Sequence, residues 1–279
     1  MSLVVLDFDG TLTDVDACAG AFHDASADAV ARVLGRDAAW TRAAWADVVA
    51  EVTGEPATSA WIVDGRPLCP AAVDPYVIAN TATRRLLERQ RPGLAQRDVL
   101  GHVLGVHRAA YARVTPALRP DTRDVLAALA AGGRAVAVVS NSATAAIERA
   151  LDPFALPGRI RVRGDAGKFT LGAPARPDPR FDALPDTVDW WPGGRTIHVR
   201  RGHYFDALRD IWDATGAAPA STLVAGDVFE LDLAMPSALG AAVHLVGRAG
   251  TMPHETALAR SRPRGGTSHA LAGVLERLG

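Results

Sequence analysis

The sequence predicts an α/β protein built on a doubly wound parallel sheet, and two observations carry that prediction. First, four apolar runs rich in β-branched residues have the continuous hydrophobicity of strands that are buried on both faces. These runs are residues 3–6, 135–139, 222–225 and 242–246. Second, amphipathic helical stretches at residues 121–131 and 204–215 precede the second and third runs. Strands that alternate with helices at this spacing are typical of βαβ units.

The pattern changes between residues 15 and 117, where apolar residues recur at helical spacing and no buried-strand run interrupts them. We therefore predict a core domain of residues 1–14 and 118–279, with a mostly helical domain of residues 15–117 inserted after the first strand. Within the core, residues 164–200 contain five prolines and are predicted to form an irregular insertion, either a long loop or a small β excursion, with residues 196–199 as a strand. The last predicted element is a helix over residues 268–278.

Composition and charge argue against several classes of protein. The 279 residues include 30 Lys and Arg against 31 Asp and Glu, and this balance argues against a nucleic-acid or acidic-membrane binder. No run approaches the roughly 18 apolar residues of a membrane-spanning helix, and the N-terminus lacks the features of a signal peptide. Two cysteines are too few for a disulfide scaffold. We expect a soluble cytoplasmic protein, and its oligomeric state stays open.

Polar residues follow three of the predicted strands. They are Asp7, Asp9, Gly10 and Thr11 after the first strand, Ser140 and Asn141 after the second, and Asp227 and Asp232 after the third. Because ligands of parallel sheets bind at the carboxyl ends of the strands, we expect these residues to meet at one edge. Each motif alone also has a structural interpretation, either as a helix N-cap or as acids that favour a helix dipole. Their conjunction favours a functional site.

The chemistry of this edge suggests a metal and a phosphate. Alternation along a strand would send Asp7 and Asp9 to the same side, where two carboxylates repel unless a cation lies beside them. Magnesium is such a cation, and a phosphate group can bridge to it. Gly10 and Thr11 would let the backbone turn and would offer N–H groups to a phosphate oxygen.

The order of these motifs resembles the haloacid dehalogenase-like (HAD) superfamily, specifically its phosphatase branch with a helical C1-type cap. The matching features are Asp-x-Asp-Gly-Thr at residue 7, a strand that ends in Ser-Asn at residue 140, and Gly-Asp-x-x-x-x-Asp from residue 226. The resemblance covers residues 1–14 and about 118–250, and it identifies the helical insertion as a cap domain. It implies a Rossmann-like core, Mg²⁺ as cofactor and a small phosphate ester as partner.

The resemblance also implies individual roles. Asp7 would be the nucleophile that forms an aspartyl-phosphate, and Asp9 would be the general acid–base. Magnesium would be held by the carboxylates of Asp7 and Asp227 and by the backbone carbonyl of Asp9. Asp232 would bind a metal-bound water or orient the site, and Ser140 with neighbouring backbone N–H groups would hold the phosphoryl group.

The family also requires a cation that faces the nucleophile, and here the sequence departs from the commonest pattern. Arg200 and Arg201 stand just before the helix over residues 204–215, whereas Lys168 follows the strand predicted at residues 159–163. Position along the chain favours Arg201, then Lys168, then Arg200. An arginine would clamp phosphate with two hydrogen bonds rather than act as a point charge.

Asp9 indicates the reaction class. Dehalogenating members of the family lack an acid at this position because a halide leaves without a proton, whereas an alkoxide leaving group needs one. The sequence therefore predicts a magnesium-dependent phosphomonoester hydrolase. Two alternatives stay open: a phosphotransferase or phosphomutase on the same scaffold, and a non-catalytic regulatory protein.

Overall fold

The computed structural model describes residues 1–54, 59–154, 160–189 and 196–278. Its contacts divide the chain into two compact units. The first comprises Met1–Asp14, Val63–Leu68 and Leu118–Gly279, and the second comprises Val15–Ile62 and Cys69–Ala117. This division differs from the predicted insertion at residues 63–68, which the structure groups with the first unit.

The elements follow one another along the chain as strands (β) and helices (α). The strands are β1 (Leu3–Leu6), β2 (Ala60–Val63), β3 (Arg66–Pro70), β4 (Ala135–Val139), β5 (Ile160–Arg163), β6 (Thr187–Asp189), β7 (Thr196–His198), β8 (Thr222–Gly226), β9 (Ala242–Val246) and β10 (Gly265–Ser268). The helices are α1 (Val15–Leu34), α2 (Ala38–Gly54), α3 (Pro75–Gln90), α4 (Gln96–Tyr111), α5 (Thr122–Ala131), α6 (Thr144–Leu151), α7 (Pro179–Asp182), α8 (Gly202–Thr215), α9 (Ala234–Ala238), α10 (Pro253–Ser261) and α11 (Gly273–Glu276). A π-helical turn, Phe229–Leu233, leads into α9.

A six-stranded sheet in the order β10-β9-β8-β1-β4-β5 forms the centre of the first unit, and every pairing within it is parallel. Alternate residues of β1 pack on opposite faces. Val5 belongs to the core cluster that contains Phe205 of α8, whereas Val4 belongs to the cluster that contains Leu126 of α5. The predicted fold class, a doubly wound parallel sheet, is confirmed.

One local prediction is corrected in this unit, and another gains detail. The C-terminal helix predicted over residues 268–278 is shorter than expected, because α11 spans Gly273–Glu276 and Ser268 is the last residue of the edge strand β10. Pairing with β9 overrides the weak strand propensity of Gly265, whose missing side chain lets the strand pass the carbonyl of Ala259. The irregular insertion predicted at residues 164–200 contains α7, β6 and β7, and residues 190–195 of it lie outside the described residues.

The second unit packs helices α1 to α4 around its own apolar core, which includes Phe22, Trp45 and Leu86.

The sequence pattern did not predict the two-stranded sheet of β2 and β3. Its signal is the Asp64-Gly65 pair between the strands, where both residues adopt positive φ, +49° and +72°. Such a pair is typical of a tight hairpin turn.

Among the described residues, no helix is long and apolar enough to cross a lipid bilayer.

An aromatic group surrounds His107 inside the second unit. The imidazole stacks on Tyr111 at 5.9 Å, meets Phe22 edge-on at 5.4 Å, and its Nδ1 lies 3.1 Å from Oδ1 of Asn80. Burial, together with the neighbouring charge of Arg108, lowers the pKa of His107 to about 4. The imidazole is therefore neutral in the folded unit at pH 7.

This environment predicts a pH dependence of stability. The pKa of an exposed histidine is about 6.5. Between that value and a pKa of about 4, the unfolded chain binds a proton that the folded chain does not. The free energy of unfolding should therefore fall as the pH is lowered from 7 to 5, by about 2 kcal/mol from this group alone.

The variant His107→Phe keeps a ring against Tyr111 but cannot titrate, so it should lose that part of the slope. Urea unfolding at pH 7 and pH 5, for the native chain and the variant, measures the difference. An equal pH slope in the two proteins would contradict the assignment.

Candidate active site

The carboxyl ends of β1, β4 and β8 lie side by side because β1 is the central of the three strands. Leu6, the last residue of β1, is paired with Val138 of β4 and with Ala225 of β8. The polar residues that follow these strands therefore emerge at one edge of the sheet, as the sequence indicates.

Three aspartates form a buried cluster at this edge. One carboxylate oxygen each from Asp7, Asp227 and Asp232 lies within 4.8 Å of the other two. Burial raises the pKa of Asp7 well above its ordinary value, and the charges of the neighbouring aspartates raise it further, while Lys168 opposes both effects. Buried like charges at this separation require a compensating cation.

Lys168 supplies positive charge directly to the cluster. Its Nζ lies 2.5 Å from Oδ1 of Asp7 and 2.7 Å from Oδ1 of Asp232, and its side chain is 2% exposed. Burial opposes the ammonium form, but the two carboxylates outweigh it and raise the pKa of Lys168 above its ordinary value. Lys168 thus stays charged and holds two of the three aspartates together.

The Lys168 side chain is positioned from two directions. Its backbone N–H donates to Oδ1 of Asn141 at 2.8 Å, which ties the segment after β5 to the end of β4. Its ammonium lies 5.2 Å from the ring centre of Tyr204, and the Tyr204 hydroxyl donates to the backbone carbonyl of Asp232 at 2.8 Å. Asn141, predicted to bind phosphate, therefore uses its side-chain oxygen to fix the position of Lys168.

The preference for Arg201 as the cation at the nucleophile is corrected. The Arg201 guanidinium is buried and donates to the backbone carbonyls of Lys168, of Leu68 (2.9 Å) and of His198 (3.1 Å). Arg200 donates to the carbonyl of Leu184. Lys168 contacts Asp7 because the segment that follows β5 lies against the carboxyl edge of the sheet. Distance along the sequence from the next helix, which favoured Arg201, does not indicate this placement.

Asp9 lies beside the residues that follow β4. Its Oδ2 accepts a hydrogen bond from the Ser142 hydroxyl at 2.5 Å and a weaker one from the Ser140 hydroxyl at 3.3 Å. Strand alternation is not the cause of this placement, because β1 ends at Leu6 and Asp9 lies in the following turn. Ser142 is not among the residues predicted from the sequence, although its spacing of two from Ser140 is a usable signal.

Gly10 brings the turn after β1 against Asp227. Its φ is +84°, and a Cβ at this position would overlap the Asp227 carboxylate. Its N–H donates to Oγ1 of Thr13 at 3.1 Å, and its role in phosphate binding stays a prediction. The Gly10 carbonyl accepts from Nη2 of Arg119 at 2.6 Å. Thr11 is fully buried beside it, and its role in phosphate binding stays a prediction.

A second buried cation, absent from the residues predicted from the sequence, contacts the cluster. Nε of Arg248 lies 2.6 Å from Oδ2 of Asp227, and both side chains are 3% exposed. Arg248 follows β9, so its only sequence signal is a charged residue at the carboxyl end of another parallel strand.

The segment after β8 is held by acids in a way that the sequence alone does not reveal. Oδ2 of Asp232 accepts the N–H of Val228 at 3.0 Å, and Oε1 of Glu255 accepts the N–H of Phe229 at 3.0 Å. Burial raises the pKa of Glu255 to about 8, so this group is mostly neutral at pH 7. Hydrogen bonds to both acids therefore fix the position of Asp227.

The donor set fits a hard divalent cation. Three carboxylates converge within 4.8 Å, and carboxylate oxygens are the ligands that Mg²⁺ prefers in proteins. The absence of a side chain at Gly10 lets the Asp227 carboxylate lie against the turn after β1. Both carboxylate oxygens of Asp232 accept hydrogen bonds, Oδ1 from Lys168 and Oδ2 from the N–H of Val228.

Substitution of Gly10 tests the close approach to Asp227. Gly10→Ala should lower the free energy of unfolding by about 2–4 kcal/mol, because it combines left-handed backbone strain with overlap of the carboxylate. Gly216→Ala is the matched control, since Gly216 has a φ of +66° but no heavy atom within 4 Å of its Cβ position. The control should lose only about 1 kcal/mol. Equal losses in urea unfolding would show that the approach to Asp227 is unimportant.

Comparisons with known proteins are consistent with this architecture. The family model for haloacid dehalogenase-like hydrolases matches residues 1–240. A search of curated protein sequences gives no significant match.

Several solved structures share the fold. A predicted phosphoglycolate phosphatase from Haemophilus somnus 129pt is 16% identical with a TM-score of 0.55, and the match covers 100% of this chain and 98% of that one. A HAD phosphatase from Thermococcus onnurineus is 14% identical with a TM-score of 0.51, covering 100% and 98%. A haloacid dehalogenase-like family hydrolase from Streptococcus pneumoniae is 14% identical with a TM-score of 0.54, covering 100% and 99%.

At such identities the structural likeness establishes the fold and leaves the reaction open. The family model, by contrast, spans most of the chain, including the turn after β1 and the segment after β8 that bear the aspartates. This chain belongs to the haloacid dehalogenase-like hydrolases.

Proposed function

We propose that this protein is a magnesium-dependent phosphomonoester hydrolase that acts on a small phosphorylated metabolite through a phosphoryl group carried on Asp7. The observation that carries the proposal is the contact of Lys168 with Asp7, at 2.5 Å, inside a buried cluster of aspartates. A carboxylate held by a charged lysine at the end of a central strand is suited to attack an electrophilic phosphorus.

The first half of the proposed reaction forms the covalent intermediate. A carboxylate oxygen of Asp7 makes a bond to phosphorus as the bond from phosphorus to the ester oxygen breaks. Asp9 gives a proton to that ester oxygen, which leaves as an alcohol. Ser142 and Ser140 support this role by donating to Oδ2 of Asp9, which fixes the orientation of its carboxyl group.

The second half returns the protein to its starting state. Asp9 takes a proton from water as the water oxygen attacks phosphorus, and the bond from phosphorus to Asp7 breaks. Inorganic phosphate leaves, and Lys168 again faces a free carboxylate. Asp7, Asp227 and the backbone carbonyl of Asp9 would hold Mg²⁺, which when bound offsets negative charge on the phosphoryl group.

Asp9 favours a phosphate ester over a haloacid as substrate. A halide ion leaves without a proton, so a carboxyl group fixed by two hydroxyls has no task in that reaction. An alkoxide is a poor leaving group unless an acid protonates it. A phosphotransferase would use the same groups with a second hydroxyl in place of water, and its product would be a phosphorylated isomer rather than free phosphate.

A release assay tests the proposed activity. The purified chain should release phosphate from at least one ester in a panel of small phosphate monoesters, with Mg²⁺ but not with excess EDTA. Asp7→Asn should abolish release, whereas Asp124→Asn, at an exposed position on α5, should leave it unchanged. Halide release from 2-haloacids, or isomer formation without phosphate release, would contradict the proposal.

Substitution of the cations tests which one serves the nucleophile. Lys168→Met should lower kcat for phosphate release by about 100-fold or more, because it removes a preorganised charge from Asp7 in a buried site. Arg200→Met is the matched control and should stay within about threefold of the native rate, because Arg200 lies 3.6 Å from Asp186, a side chain that is 90% exposed. The reverse order of effects would overturn the assignment of Lys168.

A further inference from the structure

Arg248, one of the two buried cations that contact the aspartate cluster, has no role in the proposed reaction. Lys168 is paired with Asp7 and Asp232, while Arg248 is paired with Asp227. The Arg248 and Asp227 side chains are each 3% exposed. A buried arginine that contacts a carboxylate proposed as a metal ligand competes with the metal ion for that carboxylate as well as pairing with it.

The geometry shows where competition would occur. Nε of Arg248 donates to Oδ2 of Asp227 at 2.6 Å. The Asp227 carboxylate lies against Gly10 and fills the position that a side chain there would take. Arg248 therefore engages one of the two oxygens that Asp227 can offer to a cation. A carboxylate that already neutralises a guanidinium attracts a second cation less strongly.

Hydrogen bonds fix the backbone turn that contains Arg248. Its N–H donates to Oγ1 of Thr251 at 2.7 Å, and the N–H of Thr251 donates back to the Arg248 carbonyl at 3.1 Å. The preceding Gly247 donates its N–H to the carbonyl of Ser268 at 2.7 Å. The guanidinium is therefore held near Asp227 by its own backbone as well as by the ion pair.

The formal charge of the cluster indicates how strongly Arg248 affects the binding of a cation. The three aspartates of the cluster are opposed by Lys168 and Arg248, which leaves a formal charge of −1. Removal of Arg248 would leave a formal charge of −2 and a Coulombic attraction for the ion that is stronger in a buried site than in water.

We propose that Arg248 is an internal counter-cation that competes with the divalent cation for Asp227 and so sets the affinity of the site for metal. This inference rests on the proposed function, in which Asp227 is a ligand of that cation. Arg248 is a positioning residue here, since it acts through Asp227.

Binding of Mn²⁺, followed by the electron paramagnetic resonance signal of the free ion, tests this role without any substrate. Arg248→Met should bind Mn²⁺ about tenfold more tightly than the native chain or better. Arg248→Lys retains the charge and should stay within about threefold of the native affinity. Arg209→Met is the matched control, because it removes a buried arginine paired with Asp206 and should leave Mn²⁺ affinity unchanged.

A measurement on the native side chain covers the case in which Arg248→Met fails to fold. In ¹⁵N-arginine-labelled protein, saturation with Mg²⁺ should shift the Nε–H resonance of Arg248, which is assigned by its loss in Arg248→Lys. An unmoved resonance, or Mn²⁺ affinity that is unchanged or weaker in a folded Arg248→Met variant, would overturn the inference.

The two proposals fail separately. Phosphate release by a native chain whose metal affinity does not depend on Arg248 would leave the hydrolase intact and reject the competition. Absence of Mn²⁺ binding by both the native chain and Arg248→Met would also reject the competition. In that case the release assay tests the hydrolase separately, because phosphate release that continues in excess EDTA would contradict a magnesium-dependent reaction.

Discussion

The contact of Lys168 with Asp7 and Asp232 is the interaction on which the rest of the site depends. Carboxylates buried within a few ångströms of one another are stable as anions only with a cation among them, because burial and mutual repulsion both favour protonation. Burial raises the pKa of Asp7 for this reason, and Lys168 counteracts it. A protonated Asp7 would be a poor nucleophile, so the lysine contact connects the stability of the cluster with its proposed chemistry.

The fold provides the positions for this contact. The parallel register of β1 with β4 and β8 places Asp7, Ser140 and Asp227 at one edge of the sheet. The turn at Gly10 then approaches Asp227 more closely than any residue with a side chain could. Hydrogen bonds from backbone N–H groups to Asp232 and Glu255 hold the segment after β8 in place. Preorganisation of this kind lets charged groups act without rearrangement during a reaction.

The sequence predicted most of the fold and the aspartates of the site because these depend on local pattern. Continuous apolar runs identify buried strands, and acidic residues at strand ends identify the sheet edge. The hairpin of β2 and β3 was missed even though Asp64-Gly65 carried its signal, because the surrounding helical periodicity was given more weight. Edge strand β10, with two glycines in four residues, has low propensity and is stabilised by pairing with β9.

The cations could not be assigned from sequence because they reach the cluster through tertiary structure. Lys168 lies on an irregular segment whose return to the sheet edge depends on Asn141 and on the buried guanidinium of Arg201. Arg248 follows a strand that is two positions away from β1 in the sheet order. Neither residue has a fixed spacing from the aspartates that it contacts, so position along the chain favoured Arg201 instead.

The central claim is that Asp7 carries the group that is transferred. Mass spectrometry of the peptide that contains Asp7, after acid quench during turnover of an active phosphate ester, tests it directly. The account predicts the added mass of one phosphoryl group on Asp7, which disappears when the substrate is exhausted and is absent from Asp7→Asn. Turnover with an unmodified Asp7 peptide at every time point, or an Asp7 peptide that carries the carbon skeleton of the substrate, would contradict it.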